Sequence, residues 1–455
     1  MISPMYRGSV KDVLGPVQAK GHTAVVFRYS DAFSVFDWGR MPDAIPRKGE
    51  ALALMGAALF SRLENPTAWQ DFSRSQVALA LRKGITSVHS VQLKKGIRED
   101  GTPTSLGSAF NELGERLQKE GLRTHYLGLA READLAADGA AVAPVELSAL
   151  REPLKCMLVR QVSVVKPTLR AVMGKAVVDY APTREAPAPR LVPLEVVFRF
   201  GAPEGSSILE RVAKNPAYWE SLPLPAELVG AKLKAGAKWE FPVLELFTKL
   251  ESTDRPVGMN EALAISGLNA EQMQELMVQA TWIAGFLRAT CAKCGLELWD
   301  GKLEFALGPD GKVFLVDAIG PDELRLTAPA PGGGLVHLSK EFIRAFYRDT
   351  EWYAQTVEAK KKAAASGNAD WKRGVNVPPP PLPAAHVELV SQLYMTLTQL
   401  IGGGTWFPGA WSLDRLISQF AMLVPPSLAR GKQPAAPSAQ AELTFEDSGG
   451  GSDPA

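Results

Sequence analysis

Most residues suited to chemistry gather between about positions 199 and 344. Two apolar runs, 303–307 and 312–317, flank a turn containing Asp310-Gly311, the pattern of a β-hairpin. Glu304 on the first run and Asp317 on the second could share a face of that hairpin. Facing carboxylates repel, and a magnesium ion would relieve the repulsion, with nucleotide phosphates completing its oxygen shell. Asp300 and Lys302 precede Glu304, so anion and cation alternate along the run. A solvated hairpin carrying ordinary surface charges fits these residues equally well.

Two further segments could bind anions. Residues 199–207, Arg-Phe-Gly-Ala-Pro-Glu-Gly-Ser-Ser, read as a strand ending in an arginine and a turn of small residues. Arg199 beside free amides and hydroxyls would clamp a carboxylate or phosphate. The full Gly-x4-Gly-Lys-Ser/Thr spacing is absent, and a plain loop is the simpler reading. Farther on, Arg325, Lys340 and Arg344 could surround a second anion, with Lys249 adding charge; a solvated helix face is the alternative for Lys340 and Arg344. A helix starting just after Lys48-Gly49 would also present amides and a lysine to an anion. No Gly-x-Ser-x-Gly elbow or His-Glu-x-x-His pair occurs, and the five histidines lack metal-ligand spacing. Cys291 and Cys294 form a lone CxxC that reads as two helix residues.

These residues need a large scaffold, and 455 residues with 46% hydrophobic content can supply one. Fifty Lys and Arg against 49 Asp and Glu leave a formal charge of +1, which argues against nucleic acid or a membrane surface as partner. A local basic pocket for a phosphorylated small molecule remains compatible. Three cysteines fit a reducing compartment. The N-terminus lacks the pattern of a signal peptide, and no apolar run reaches the roughly 18 residues of a membrane span. A cytoplasmic protein is expected, and a homo-oligomer is compatible with the sequence.

Strands are expected over 24–29, 157–165 and 194–200, and helices over 50–63, 271–291 and 387–400. Charged helical segments fill much of 70–150, and the proline-rich stretch 181–190 reads as a loop or linker. Prolines at 378–383 suggest an extended connector, and the Pro, Ala, Ser and Gly beyond 429 suggest disorder. The expected division is an N-terminal nucleotide-binding lobe with an insertion (1–165), a linker (166–190), a substrate lobe (191–345), a helical region (346–428) and a tail (429–455).

In order, these pieces resemble the SAICAR synthetase family, the ATP-grasp ligases of purine synthesis. Residues 6–13, Tyr-Arg-Gly-Ser-Val-Lys-Asp-Val, resemble the family's glycine-lysine-x-arginine/lysine-aspartate start. Residues 30–37 resemble Thr-Asp-Arg-Ile-Ser-Ala-Phe-Asp, and 45–49 resemble Ile-Pro-Gly-Lys-Gly. Residues 192–199 with Gly205-Ser206 are similar to Pro-x-Glu-x-Val-x-Arg…Gly-Ser. Residues 300–305 are similar to Asp-x-Lys-x-Glu-Phe, and Asp317 through Asp322 to Arg325 follows the pattern Asp-Glu…Pro-Asp…Arg. The likeness spans about residues 6–404, broken by extra sequence near 70–120 and 166–190.

The resemblance implies an α+β, ATP-grasp-like fold of two α/β lobes with the nucleotide site between them, plus C-terminal helices. It implies an ATP-dependent ligase joining carboxyaminoimidazole ribotide to L-aspartate through an acyl phosphate, where positioning and charge neutralisation dominate. Lys302, Lys249 and Arg199 become the catalytic candidates. Lys11, Arg160 and Lys302 would face ATP, with Glu304 and Asp317 holding Mg²⁺. Arg199, Ser206, Asp322, Arg325, Lys340 and Arg344 would hold the ribotide. The sequence departs from the pattern at Ser9, where the family has lysine, and at Ala318, where it has glutamate. Residues 253–257, Thr-Asp-Arg-Pro-Val, replace Gly-His-Asp-Glu-Asn. A paralogous ligase acting on another carboxylated substrate, or a non-catalytic nucleotide-binding homologue, fits these departures.

Overall fold

The computed structural model describes residues 2–94, 106–251, 253–366 and 371–423; the tail expected beyond 429 lies outside them. The chain begins with β1 (Pro4–Arg7), β2 (Lys11–Ala19) and β3 (His22–Tyr29). Helices α1 (Lys48–Glu64), α2 (Pro66–Ser73), α3 (Gln76–Lys94) and α4 (Leu106–Glu120) precede β4 (Tyr126–Ala130) and β5 (Cys156–Arg160). These strands form one antiparallel sheet in the order β1-β2-β3-β5-β4. Alternate residues serve opposite faces. Val25, Leu129, Met157 and Val159 join the main core, while Ala24, Val26, Leu127 and Leu158 build a smaller cluster behind them.

The start of α1 is held by the turn after β3. Asp31 Oδ1 accepts the Gly49 amide at 2.9 Å, satisfying one of the helix's free donors. A Cβ on Gly49 would stand 2.9 Å from the Tyr29 carbonyl oxygen, so this approach requires glycine.

The segment after β5 departs from expectation. β5 ends at Arg160, and residues 166–190 are folded rather than a loop or linker: β6 (Thr168–Val172) and β7 (Lys175–Asp179) make a ribbon, followed by α5 (Ala181–Arg184). The ribbon turns through Met173 (φ 50°) and Gly174 (φ 74°), a two-residue turn with both residues at positive φ. Methionine there, in place of the usual Asn or Asp, concealed the hairpin in the sequence.

The second sheet contains β8 (Arg190–Ala202), then α6 (Ser207–Lys214) and α7 (Ala217–Ser221), then β9 (Ala237–Thr248) and β10 (Pro256–Val257). After α8 (Met259–Ser266) and α9 (Ala270–Lys293) come β11 (Glu297–Leu307), β12 (Val313–Val316), β13 (Leu324–Pro329) and β14 (Leu335–His337). The order is β10-β9-β8-β11-β13-β14, with β12 also paired to β11. The expected hairpin is β11–β12, in register from Glu304↔Val316 to Leu307↔Val313. Helices α10 (Glu341–Arg348), α11 (Glu351–Ser366), α12 (Ala384–Gly402) and α13 (Leu413–Leu423) complete the α+β fold.

One face of this sheet is apolar: Val196, Phe198, Leu244, Leu246, Leu303 and Phe305 are buried in the main core with α9. Its other face carries charge, and strand alternation makes both from one sequence. A capping box fixes the start of α9, with Asn269 accepting from the Gln272 amide at 2.8 Å and Gln272 from the Asn269 amide at 3.1 Å. Helices α2–α4, expected with the N-terminal lobe, pack on α9. Phe110 stacks on Trp282 at 4.4 Å between ring centres, and Trp69 and Phe72 meet Phe286. The main core therefore runs continuously from the first sheet through these helices to the second. No helix among the described residues is long and apolar enough to cross a membrane.

Trp282 is 2% exposed and its indole N–H donates to the Phe110 carbonyl at 3.0 Å. Trp282→Ala should destabilise the fold by about 3–5 kcal/mol in chemical denaturation. A loss below about 1 kcal/mol would show that α2–α4 lie outside the cooperative core.

Candidate active site

Lys302 and Glu304 lie two residues apart on β11 and so share a face, and Glu195 of β8 stands directly opposite Glu304. Lys249, the residue after β9, joins them. Its Nζ is 2.6 Å from Glu195 Oε1 and 2.9 Å from Glu304 Oε1, while Lys302 Nζ is 2.9 Å from Glu195 Oε1. Glu304 Oε1 is buried yet accepts no hydrogen bond, because Lys249 is near but poorly aligned. Burial, then the charge of Asp317, pushes the Glu304 pKa up to about 7 against the pull of Lys249 and Lys302. Burial opposes charge on Lys302 too, but Glu304 and Glu195 outweigh it and raise its pKa.

Asp317 follows β12 with a left-handed φ of 66°, a conformation that aspartate tolerates better than most non-glycine residues. Lys11, from the first sheet, forms an ion pair with its carboxylate and lies 4.1 Å from the Phe27 ring centre. Burial alone would raise the Asp317 pKa, but Lys11 and Lys302 hold it well below the ordinary carboxylate range. The structure thus unites Lys11, Lys249, Lys302, Glu304 and Asp317 where the two sheets meet. Glu304 and Asp317 are the carboxylates that could hold a cation, and the unsatisfied Glu304 oxygen suits one. Among the described residues no group of three or more His, Cys, Asp or Glu is placed for a metal. Further oxygens would have to come from a ligand such as phosphate.

A second cluster surrounds Arg199. Its guanidinium pairs with Glu245, lies 3.1 Å from Asp300 Oδ2 and donates to Ser206 Oγ at 3.3 Å. Glu245 also accepts from Arg211 at 2.6 Å and from the Tyr218 hydroxyl at 2.7 Å. Burial disfavours charge on Arg199, yet Glu245 and Asp300 raise its pKa above the ordinary value. Arg199 is therefore committed to protein carboxylates, which corrects the simple picture of an open anion clamp. Arg325 reaches the same Asp300 carboxylate at 3.5 Å and is less enclosed.

The third cluster centres on Asp322. Lys48 Nζ approaches its Oδ2 at 3.2 Å and Lys340 Nζ at 3.0 Å, and the Tyr394 hydroxyl of α12 donates to Oδ1. The helix-start lysine thus meets an anion of the protein itself. Burial would raise the Asp322 pKa, but Lys340 and Lys48 hold it well below the ordinary range. Burial lowers the pKa of Lys48, with Asp322 opposing. Glu323 has a buried, unpartnered Oε2 and a pKa pushed up to about 7 by burial and then by Asp322.

Not all expected partners assemble. Lys249 sits with Glu304, not with Arg325, Lys340 and Arg344, and Arg344 pairs with Glu341 on its own helix at 3.4 Å. Arg160 pairs with Ala24 in register, five residues along β3 from Tyr29, the partner of Lys11. They are thus offset by roughly 16 Å along the strand direction at ~3.3 Å per residue, on opposite sides of β3. Arg160 instead contacts His22 at 3.2 Å. Sequence reasoning missed Glu195, Glu245 and Tyr394. A glutamate inside an apolar strand is costly unless paired, and that signal was present for the first two.

A family model described as SAICAR synthetase matches residues 182–360. A protein of Archaeoglobus fulgidus, provisionally named phosphoribosylaminoimidazole-succinocarboxamide synthase, is 30% identical over 416 residues, covering 90% of this chain and 98% of that one. The Thermoplasma acidophilum protein named phosphoribosylaminoimidazole-succinocarboxamide synthase is 37% identical over 175 residues, 38% of this chain and 56% of that protein. Among solved structures, the SAICAR-synthase from Saccharomyces cerevisiae complexed with SAICAR aligns with a TM-score of 0.48 and 16% identity, over 89% of this chain and 96% of that one.

The raised pKa of Glu304 has a defined consequence for stability. An acid whose pKa rises on folding stabilises the protein while protonated, and that contribution is lost as pH climbs through about 7. Glu304→Gln lacks this loss, so in ligand-free protein it should gain roughly 2 kcal/mol on wild type between pH 5.5 and 8. A difference between the two proteins that is flat across this range, measured by denaturant unfolding, would contradict the assigned environment.

Proposed function

The chain belongs to the SAICAR synthetase family, and on that premise we propose that it is an ATP-dependent ligase joining carboxyaminoimidazole ribotide to L-aspartate. The observation that carries this reading is the half-buried cluster of Lys11, Asp317, Lys302 and Lys249 around the buried Glu304, at the junction of the two sheets. Transfer of a phosphoryl group to a carboxylate and its displacement by an amine chiefly require fixed charges around the migrating group. Lys11 and Lys302 would meet phosphate oxygens. Glu304 and Asp317 would hold Mg²⁺, which supplies neutralisation of the phosphate charge.

The ribotide would lie over the rest of the charged face. Ser206, Arg325, Lys340 and Arg344 would offer donors to its phosphate and hydroxyls, with Arg199 and Asp322 as their anchors. Lys249, held by two carboxylates, stays cationic: burial opposes its charge, but Glu304 and Glu195 raise its pKa. It would stabilise the oxyanion of the acyl phosphate under attack. The ATP-grasp assignment and an ATP-facing role for Arg160 belong to this same proposal.

A second reading concerns the amine. Asp254, exposed in the stretch that departs most from the family pattern, lies close enough to Glu195 and Lys249 to feel both charges. A carboxylate in that position favours an amine carrying less negative charge than aspartate, as a paralogous ligase would use. A non-catalytic homologue would have no need to retain so many costly buried charges.

ADP release with Mg·ATP, ribotide and aspartate, each omitted in turn, tests the proposal. Release requiring all three supports it, release supported better by another amine supports the paralogue, and ligand binding without release removes the ligase. Glu304→Gln should lower turnover by at least about 100-fold at unchanged fold. Activity within a few-fold of wild type would overturn the metal assignment.

A further inference from the structure

The β6–β7 ribbon is firmly based and bare at its tip. Its segment leaves and rejoins the body at one point, where the Ser163 amide donates to the Pro189 carbonyl at 2.7 Å and the Leu191 amide to the Ser163 carbonyl at 2.9 Å. Thr183 Oγ1 donates to the Val165 carbonyl at 2.9 Å, and Arg184 to the Ala264 carbonyl at 2.7 Å. The Tyr180 hydroxyl donates to Glu251 at 2.6 Å. Beyond this base, Val172 is 53% and Val177 45% exposed, on the same face of the ribbon. Among the described residues no third strand pairs with either edge. A two-stranded ribbon is marginal in water, and a free edge invites another strand.

The sequence of β7 selects that strand. In the ribbon Val172↔Lys175 closes the turn and Arg170↔Val177 and Thr168↔Asp179 follow, so 175, 177 and 179 bond inward to β6. Ala176 and Val178 therefore direct their amides and carbonyls to the open edge. Lys-Ala-Val-Val-Asp is self-complementary when paired antiparallel with another copy of itself about Val177. Val177 meets Val177 of the second copy, and Ala176 exchanges both backbone bonds with Val178 of the second copy. Lys175 then faces Asp179 of the second copy at each end, in the closer, non-hydrogen-bonded type of pair, and shares that carboxylate with Arg170 and the Ala181 amide of the second copy's own ribbon. The β6 edge lacks this property, because the same operation would set Arg170 against Arg170.

We propose that the protein forms a two-fold dimer by antiparallel pairing of β7 with β7 of a second copy, making a four-stranded sheet from two ribbons. The dimer is independent of the catalytic reading, since no residue of the charged clusters takes part. Its seam is smaller than the ~1,600 Å² of a standard interface, so it should dissociate on dilution.

Sedimentation of the full chain over a range of concentrations should show reversible dimerisation, at least tenfold weaker in Val177→Arg and in Lys175→Asp. Val177→Cys should give a disulfide-linked dimer under mild oxidation, since directly opposed non-hydrogen-bonded residues lie about 4.5 Å apart between Cα atoms. Leu169→Cys, at a residue 73% exposed but off the seam, should not. A monomer up to about 100 µM overturns the proposal. A dimer insensitive to Val177→Arg, or equal cross-linking of the two cysteine variants, also overturns it.

Discussion

Charges buried between two sheets are tolerable only when each meets its opposite, and that requirement shapes the centre of this molecule. The contact of Lys11 with Asp317 spans 306 residues of chain and joins the first sheet to the second. Around it Lys302 and Lys249 share Glu195, so two cations rest on one carboxylate while Glu304 keeps an oxygen without a hydrogen bond. The cluster is nearly neutral but imperfectly bonded. That is a poor way to gain stability and a good way to stay ready for a charged ligand.

The two other clusters follow the same rule more completely. Arg199 and Glu245 are closed in by Ser206, Arg211, Tyr218 and Asp300, which leaves them as fixed supports for less committed residues such as Arg325. Asp322 draws lysines from α1 and from the start of α10, together with a tyrosine from α12. Helix α12 is thereby made part of the site's frame, and its Thr398 and Ser391 hydroxyls bond to the Ala51 and Pro46 carbonyls in and just before α1.

The peripheral elements respect this centre. Helices α2–α4 thicken the apolar side of the second sheet through the Phe110–Trp282 stack, away from its charged face. The β6–β7 ribbon grows from a single point between β5 and β8 and leaves their strands in register. Both enlarge the molecule without displacing a charge.

The sequence by itself determined the local elements and the chemistry they carry. Period-two alternation in 194–200 and 303–307 encoded strands with one apolar and one charged face, and the long periodic run at 271–291 encoded α9, because these patterns follow from backbone geometry alone. Ordered motifs pointed to the family, and Glu304, Asp317, Lys302 and Arg199 were legible as candidates. Only the tertiary structure decided who faces whom. It placed Lys249 with Glu304, gave Lys48 to Asp322 across 274 residues, and left Arg160 some five residues of strand from Lys11's partner. It also revealed a hairpin at 168–179, where Met173 holds the turn position usually given to Asn or Asp. Pairings of this kind depend on the register and packing of distant strands, which no local pattern of residues records.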